Sequence, residues 1–362
     1  MPMNAPSFAA RLQRRLHRWF PAPRRLSDPT PTRIDSAELN GLTAQIHRHY
    51  PADCAFHAAW DHLHQTSLVR TTFNSPLWQR DGLMATSLRL ITLWRDSSLL
   101  AVFPLHLNSQ GFLESPGPSI SDYLDPLLLT PDAPQICSTL LHVLNTTWDA
   151  GVRAVTFRNL RSDSPFLTLL QSQAPAFGFS CMQTLASHAW RIALPSTWDA
   201  YLQSLDPHQR KELRRKLTKA QSHANAHLST YDSRNSDSCP LFEMLDLIER
   251  SDPFKHDWFA CNVRPLLTRI GPDLLRTGLL RLHVLYLNDC PAACLIEFPS
   301  PKGPMLYNTG FHPTFRSWSP GTVTFALAIQ QSIHSAASTF DLLRGSDPYK
   351  QHLGATPHPL YH

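Results

Sequence analysis

Two stretches of this chain can be laid over each other, and they lie 183 positions apart. Thr156-Phe157-Arg158-Asn159-Leu160-Arg161-Ser162-Asp163-Ser164-Pro165-Phe166 matches Thr339-Phe340-Asp341-Leu342-Leu343-Arg344-Gly345-Ser346-Asp347-Pro348-Tyr349 at Thr, Phe, Leu, Arg and Pro, with Phe166 against Tyr349. Upstream of each lies an apolar strand pair, opened by Leu88-Arg89-Leu90 in the first copy and Leu280-Arg281-Leu282 in the second. Each pair is followed by a loop, a helical run and the short matched strand. This order, met twice, predicts two related modules side by side. The competing reading is chance similarity between two α/β segments, because short apolar strands resemble one another.

The copies differ where the helix begins. The second has Ser319-Pro320-Gly321, a good helix start with Ser as cap and Pro at the first helical position. Free backbone N–H groups and the positive end of the helix dipole suit a phosphate there. The first has Thr130-Pro131-Asp132, which places a carboxylate at the same point and repels an anion. The second copy is thus expected to hold an anion, and the first to be structural or to bind the other substrate.

The expected fold class is α+β, with two tandem modules, each a mixed, mostly antiparallel sheet flanked by helices. The boundaries read as 1–52, 53–185 and 186–362. Within the first segment, residues 7–20 set Phe8, Leu12, Leu16, Trp19 and Phe20 against Arg11, Arg14, Arg15 and Arg18. Such a helix suits an anionic membrane surface, with a frayed terminal helix or a docking tail as alternatives. A Pro-rich linker follows. Strands are expected at 85–94, 99–107 and 152–158, and helices at 53–64 and 132–149. Two more helices, from Trp198 to His223, break at Asp206-Pro207. The second of these carries Arg210, Lys211, Arg214, Arg215, Lys216 and Lys219 against Glu212. It reads as a rail for a phosphorylated ligand or as a solvated face.

Composition excludes several classes. With 362 residues, 42% hydrophobic and 17% charged, the chain has material for two cores. Its 13 Gly against 31 Pro, with neither phosphate-cradling Gly motif present, argue against a P-loop or dinucleotide fold. A net charge of +5 does not indicate a nucleic-acid binder. Seven dispersed Cys, no signal-like N-terminus and no membrane-length apolar run make a cytoplasmic location the default, with peripheral contact at the inner face of the membrane. The His residues show no metal-ligand spacing, so no metal is expected. His57-x-x-x-Asp61 lacks the sequence context of a catalytic pair.

The order W-D-A-Y-L-x-S-L-D-P-x-x-R-x-x-L-R-R from Trp198, P-A-A-C-L-I-E-F from Pro291, Y-N-T-G-F-H-P-x-F from Tyr307, S-P-G at Ser319 and F-D-L-L-R-G-S-D-P-Y-K from Phe340 resembles the CelD-type acyltransferase domain of the GNAT superfamily of N-acetyltransferases. That domain is related to Fem-type aminoacyl ligases. The resemblance covers roughly residues 55–355. It implies tandem GNAT-like modules and acyl transfer without a metal. The donor would be acyl-CoA or acetyl-CoA, and the acceptor a small molecule or a glycan or envelope precursor. Acyl carrier protein or aminoacyl-tRNA as donor, and a non-catalytic adaptor at a membrane, stay open.

On this reading Ser319, Pro320, Gly321 and Thr322 hold the donor phosphates. Tyr307, Asn308 and Gly310 line the acyl channel, and Lys350 and Arg214 supply cations. Tyr349 is the candidate proton donor and Asp341 the candidate base. For Tyr349, Asp341 and Lys350 a packing or salt-bridge role competes with catalysis. Asp122, Tyr123 and Asp125, from a D-Y-L-D-P feature of the family, would face the acceptor between the modules. Turn chemistry is their alternative.

Overall fold

The structure is a computed structural model that describes residues 36–83, 87–146, 152–251 and 253–362. The basic helix expected at 7–20 lies outside the described residues.

The first sheet begins earlier than expected. β1 (Ser36–Leu39) and β2 (Leu42–His47) form an antiparallel hairpin across Asn40 and Gly41, at φ 56° and 71°. A two-residue Asn-Gly turn with both φ positive matches the twist of paired strands. Part of the segment 1–52, read as helix and linker, is therefore sheet. α1 (Cys54–Thr66) starts on Asp53, whose carboxylate accepts Ala55 N–H at 3.0 Å. It buries Phe56, Trp60 and Leu63. β3 (Leu88–Arg95) and β4 (Ser98–Leu107) pair antiparallel and are largely buried.

β5 (Phe112–Glu114), β6 (Leu127–Leu128), α2 (Ala133–Thr146) and β7 (Ala154–Thr156) complete this layer. The strand order is β1-β2-β3-β4-β5-β7, with β6 against β4. β5 and β7 run parallel, and α2 lies in the long crossover that a parallel pair needs.

β8 (Leu160–Arg161), α3 (Pro165–Gln173) and β9 (Leu185–Ala193) lead into the second sheet. α4 (Trp198–Ser204) and α5 (Pro207–Ala224) break where expected, and Asp206 accepts the N–H groups of His208 and Gln209. Then come β10 (His227–Tyr231), α6 (Leu241–Ser251), α7 (Pro253–Trp258) and α8 (Arg264–Arg276). β11 (Arg281–Leu287), β12 (Cys290–Phe298), β13 (Met305–Phe311), α9 (Pro320–His334), β14 (Thr339–Arg344), α10 (Pro348–His352) and β15 (Thr356–Tyr361) close the chain. The order is β10-β11-β12-β13-β14-β9-β15-β8.

β3-β4-β5-α2-β7 and β11-β12-β13-α9-β14 share one plan, two antiparallel pairings and then a parallel one across a helix. The fold class is the expected α+β pair of modules, and in each repeat a third strand, β5 or β13, follows the expected strand pair. Along β12, Cys294, Ile296 and Phe298 pack into one core with α6 and α8. Ala293 and Leu295 pack into another with α5 and α9. This alternation is what a sheet covered on both faces requires. Burial pushes the Cys294 thiol up to about 12, consistent with packing rather than reactivity.

The modules interlock. Phe73 and Trp78, from the turn after α1, sit edge-on against Phe298 at 5.5 Å in the second core. β8 comes from the segment 53–185 and pairs with β15 of the second sheet.

Candidate active-site cleft

β13 and β14 are parallel neighbours, yet they share one register pair, Met305 with Asp341. Beyond that pair they diverge. β13 also carries an extra residue: Asn308 faces Ile296 and Leu306 faces Glu297, which leaves Tyr307 between them. A bulge of this kind bends its strand and locally breaks the ladder.

A cleft of about 480 Å³ opens there. Asn308, Thr309, Gly310 and Phe311 of β13 line it, and so do Ser319, Pro320, Gly321 and Thr322 at the start of α9. α5 contributes Gln209, Glu212, Leu213 and Lys216. α6 and α7 contribute Ile248, Ser251 and Trp258, followed by Phe259. Asp347, Tyr349 and His352 close the side at α10. Gly310 lets α6 approach, since a Cβ there would lie 2.6 Å from Ile248 Cα.

The start of α9 is open. Ser319 has φ 52° and makes no side-chain cap bond, which departs from the expected Ser cap. It also ends the preceding 3₁₀ turn, Pro313–Trp318, and this holds its backbone left-handed. The first intrahelical bond runs from Val323 N–H to Ser319 O at 3.1 Å. The N–H groups of Gly321 and Thr322 have no protein partner among the described residues. A Cβ on Gly321 would meet nothing within 4 Å.

Tyr349 stacks flat on Phe325, with centroids 5.0 Å apart and planes 7° off parallel. Phe325 lies four residues after Gly321, one turn down the same helical face. The Tyr349 ring is thereby held beside the open helix end. Burial, reinforced by the nearby Asp347 charge, pushes its hydroxyl pKa up, so it stays protonated across the physiological range.

Seven of the expected site residues lie elsewhere. Tyr307 stacks on Phe298 at 4.6 Å, and its hydroxyl donates to Ile120 O at 2.9 Å, so it belongs to the module interface. Lys350 is buried, and its Nζ donates to the carbonyls of Leu342, Leu343 and Arg344 at 2.8, 3.1 and 2.5 Å. It holds an irregular strand end in which Leu343 has φ 54°, a region costing an L-residue about 1–2 kcal/mol. Asp341 assists there by accepting Leu343 N–H at 2.8 Å.

Asp341 also accepts Tyr123 O–H at 2.6 Å and Arg191 Nε–H at 3.1 Å. Burial raises its pKa, and the Arg191 charge opposes that rise. These groups bind Asp341 into the interface, away from the cleft. Asp122 accepts Arg344 Nε–H at 2.6 Å and Asp125 accepts Arg161 Nε–H at 2.8 Å. Asp122 thus neutralises an arginine of the second module and Asp125 one of its own segment, and neither lines the cleft. Arg214 is exposed on α5, turned away from the cleft, and Lys216 is the α5 cation that reaches it. In the first module Asp132 pairs with Arg95 at 2.8 Å.

Sequence reading named Lys216 within the basic rail but did not single it out, and it missed Trp258, Phe259 and Arg316, which also lines the cleft. Lys216 was visible as part of the basic run, but only the packing of Leu213 and Leu217 decides which cation faces inward. Nothing in the sequence pointed to the α7 aromatics.

Comparison with known proteins agrees with this layout. The family model described as an acetyltransferase (GNAT) domain matches residues 207–351. No curated protein matches the chain. Among solved structures, a C-terminal domain described as from a lysylphosphatidylglycerol synthetase of Agrobacterium fabrum is similar at 12% identity and TM-score 0.57, over 84% of this chain and 89% of that one. FemX is similar at 10% identity and TM-score 0.55, over 84% and 95%. A conserved protein from Bacteroides thetaiotaomicron is similar at 11% identity and TM-score 0.54, over 84% and 96%. At these identities the likeness is one of fold. The open start of α9 and the cleft residues from Gln209 to Tyr349 lie inside the residues that the GNAT-domain model matches.

Proposed function

We propose that the second module is an acyltransferase that moves an acyl group from a phosphopantetheine thioester, such as acyl-CoA, to an amine or hydroxyl acceptor. The observation that carries this reading is the uncapped start of α9, which opens on the cleft that also holds Tyr349. The donor phosphates would lie against the N–H groups of Gly321 and Thr322, with Lys216 adding a positive charge. Backbone N–H groups along β13 would polarise the thioester carbonyl. The acceptor nitrogen or oxygen forms its bond to the acyl carbon as the carbon–sulfur bond breaks. Tyr349 gives its proton to the departing thiolate and regains one from solvent, which takes up the proton the acceptor loses. Ser251, Trp258 and His352 line the side left for the acceptor.

The resemblance of the chain to CelD-type domains supports an envelope or polysaccharide precursor as the acceptor. Peripheral attachment through residues 7–20 fits that role. A thiol-release screen of acyl-CoA donors against amine and sugar acceptors tests the reading. Release that depends on both the acceptor and Gly321 is expected. No release with any donor, and no CoA binding by calorimetry, would overturn it.

A further inference from the structure

We infer that α5 is the landing surface for an acidic carrier protein that delivers an apolar acyl chain on its phosphopantetheine arm. This inference rests on the acyltransferase reading above and names the form of the donor.

The first observation is where the cations sit. Of the basic residues on α5, Lys216 lines the cleft. Arg210, Lys211 and Arg214 do not, although they stand on the same helix that forms its rim. Lys211 and Arg214 are exposed and Arg210 is half-buried. Among the described residues no carboxylate pairs with these three. Arg215, by contrast, is held by Glu212 at 2.8 Å, and Lys219 donates to Ser317 O at 3.1 Å and lies over the Trp318 ring. A small donor confined to the cleft would leave three unpaired cations idle. A donor whose body continues past the cleft would meet them. An acidic protein supplies the complementary charge, and the salt-screened attraction speeds docking and orients it.

The second observation is the cleft wall. Leu213, Ile248, Trp258, Phe259, Phe311 and Phe325 line it, and Trp258 is 41% exposed at its position on the cleft. That surface suits an acyl chain of many methylenes better than acetyl, which would leave most of it wet. A long apolar acyl group on a phosphopantetheine arm is what an acyl carrier protein presents. Its phosphodiester would reach the Gly321 and Thr322 N–H groups while the protein stays outside on α5.

The test compares one acyl group on two handles. The full chain is assayed with decanoyl-loaded acyl carrier protein and with decanoyl-CoA, as wild type and as the R210Q/K211Q/R214Q variant, whose folding is checked by thermal melting. The expected result is a KM at least tenfold lower for the carrier donor in the wild type. The triple variant should raise that KM at least tenfold while moving the CoA value less than threefold. Equal shifts for both donors, or no shift for either, would overturn the inference. So would transfer RNA competing with the carrier for the wild type and losing its hold on the variant, since the surface would then belong to a nucleic acid. If neither donor is turned over, the acyltransferase reading falls by itself. Direct titration with the carrier then decides the surface: binding lost in the variant supports it, and no binding to the wild type overturns it.

Discussion

Tyr123 Oη donates a 2.6 Å hydrogen bond to Asp341 Oδ2, joining residues 218 positions apart and tying the first module to the second. The guanidinium groups of Arg161 and Arg191 lie 5.4 and 5.5 Å from the Tyr123 ring centroid. Replacing Tyr123 by Phe keeps the ring and strips Asp341 of its hydroxyl partner. The expected cost is about 1–3 kcal/mol, read by urea denaturation. A stability equal to wild type would show that the bond is not what holds Asp341 in place.

Asp163 and Asp341 share Arg191 but answer pH in opposite directions. Against the effect of burial, the charge of Arg191 holds Asp163 below the ordinary range. Its contribution is present above the unfolded value and is lost as pH falls through the folded one. Asp341 is raised by burial, so its contribution is present below the unfolded value and is lost as pH rises through the folded one. Melting temperature followed from pH 7 down to pH 3 should fall less steeply in D163N than in wild type. In D341N the rise of stability with pH should be steeper than in wild type. The same slope in all three proteins would refute the assignment.

Lys350 supports the strand end that precedes Tyr349. Lys350→Met leaves buried carbonyls of Leu342, Leu343 and Arg344 without that donor. We expect a loss of about 3 kcal/mol or more. In protein that remains folded, KM for the donor should stay within about twofold, because the ammonium lies outside the cleft. A large KM effect with unchanged melting would return Lys350 to the donor site.

Gly321→Asp separates stability from binding. A carboxylate on the first turn of α9 favours the helix by about 0.3–1 kcal/mol, and there is room for its Cβ. The melting temperature should hold or rise while donor binding falls at least tenfold. Loss of both together would mean a disturbed fold and no evidence of an anion site.

Tyr349→Phe retains the stack on Phe325 and removes the acid. kcat should fall by roughly 10²–10³, with little change in KM. Because burial holds the Tyr349 pKa up, the wild-type rate should show no alkaline decline from this group up to pH 10. A wild-type decline near pH 9 that is absent in the Phe variant would contradict the high pKa.

Much of this was legible in the residues. The break at Asp206-Pro207 could be read because capping is local. The apolar strands 88–95 and 98–107 stood out as runs. The hairpin at Asn40-Gly41 has a clear turn signal, but its strands are short and half polar and so carry little apolar alternation. The helix start at 320–322 was legible as a chemical feature. The roles of Asp122, Asp125, Asp341 and Lys350 were not, because a charge in sequence does not reveal the partner that folding brings to it. Asp122 and Asp341 meet groups of the other module, Asp125 meets Arg161 36 positions along the chain, and Lys350 meets the carbonyls of a strand end.

The single register pair between β13 and β14 has an evolutionary corollary. Where two strands part, the edge left bare is peptide, and every amino acid supplies the same peptide. A ligand read by that edge places little demand on which side chains flank it. Mutation can therefore exchange most residues around the opening and leave that peptide edge in place.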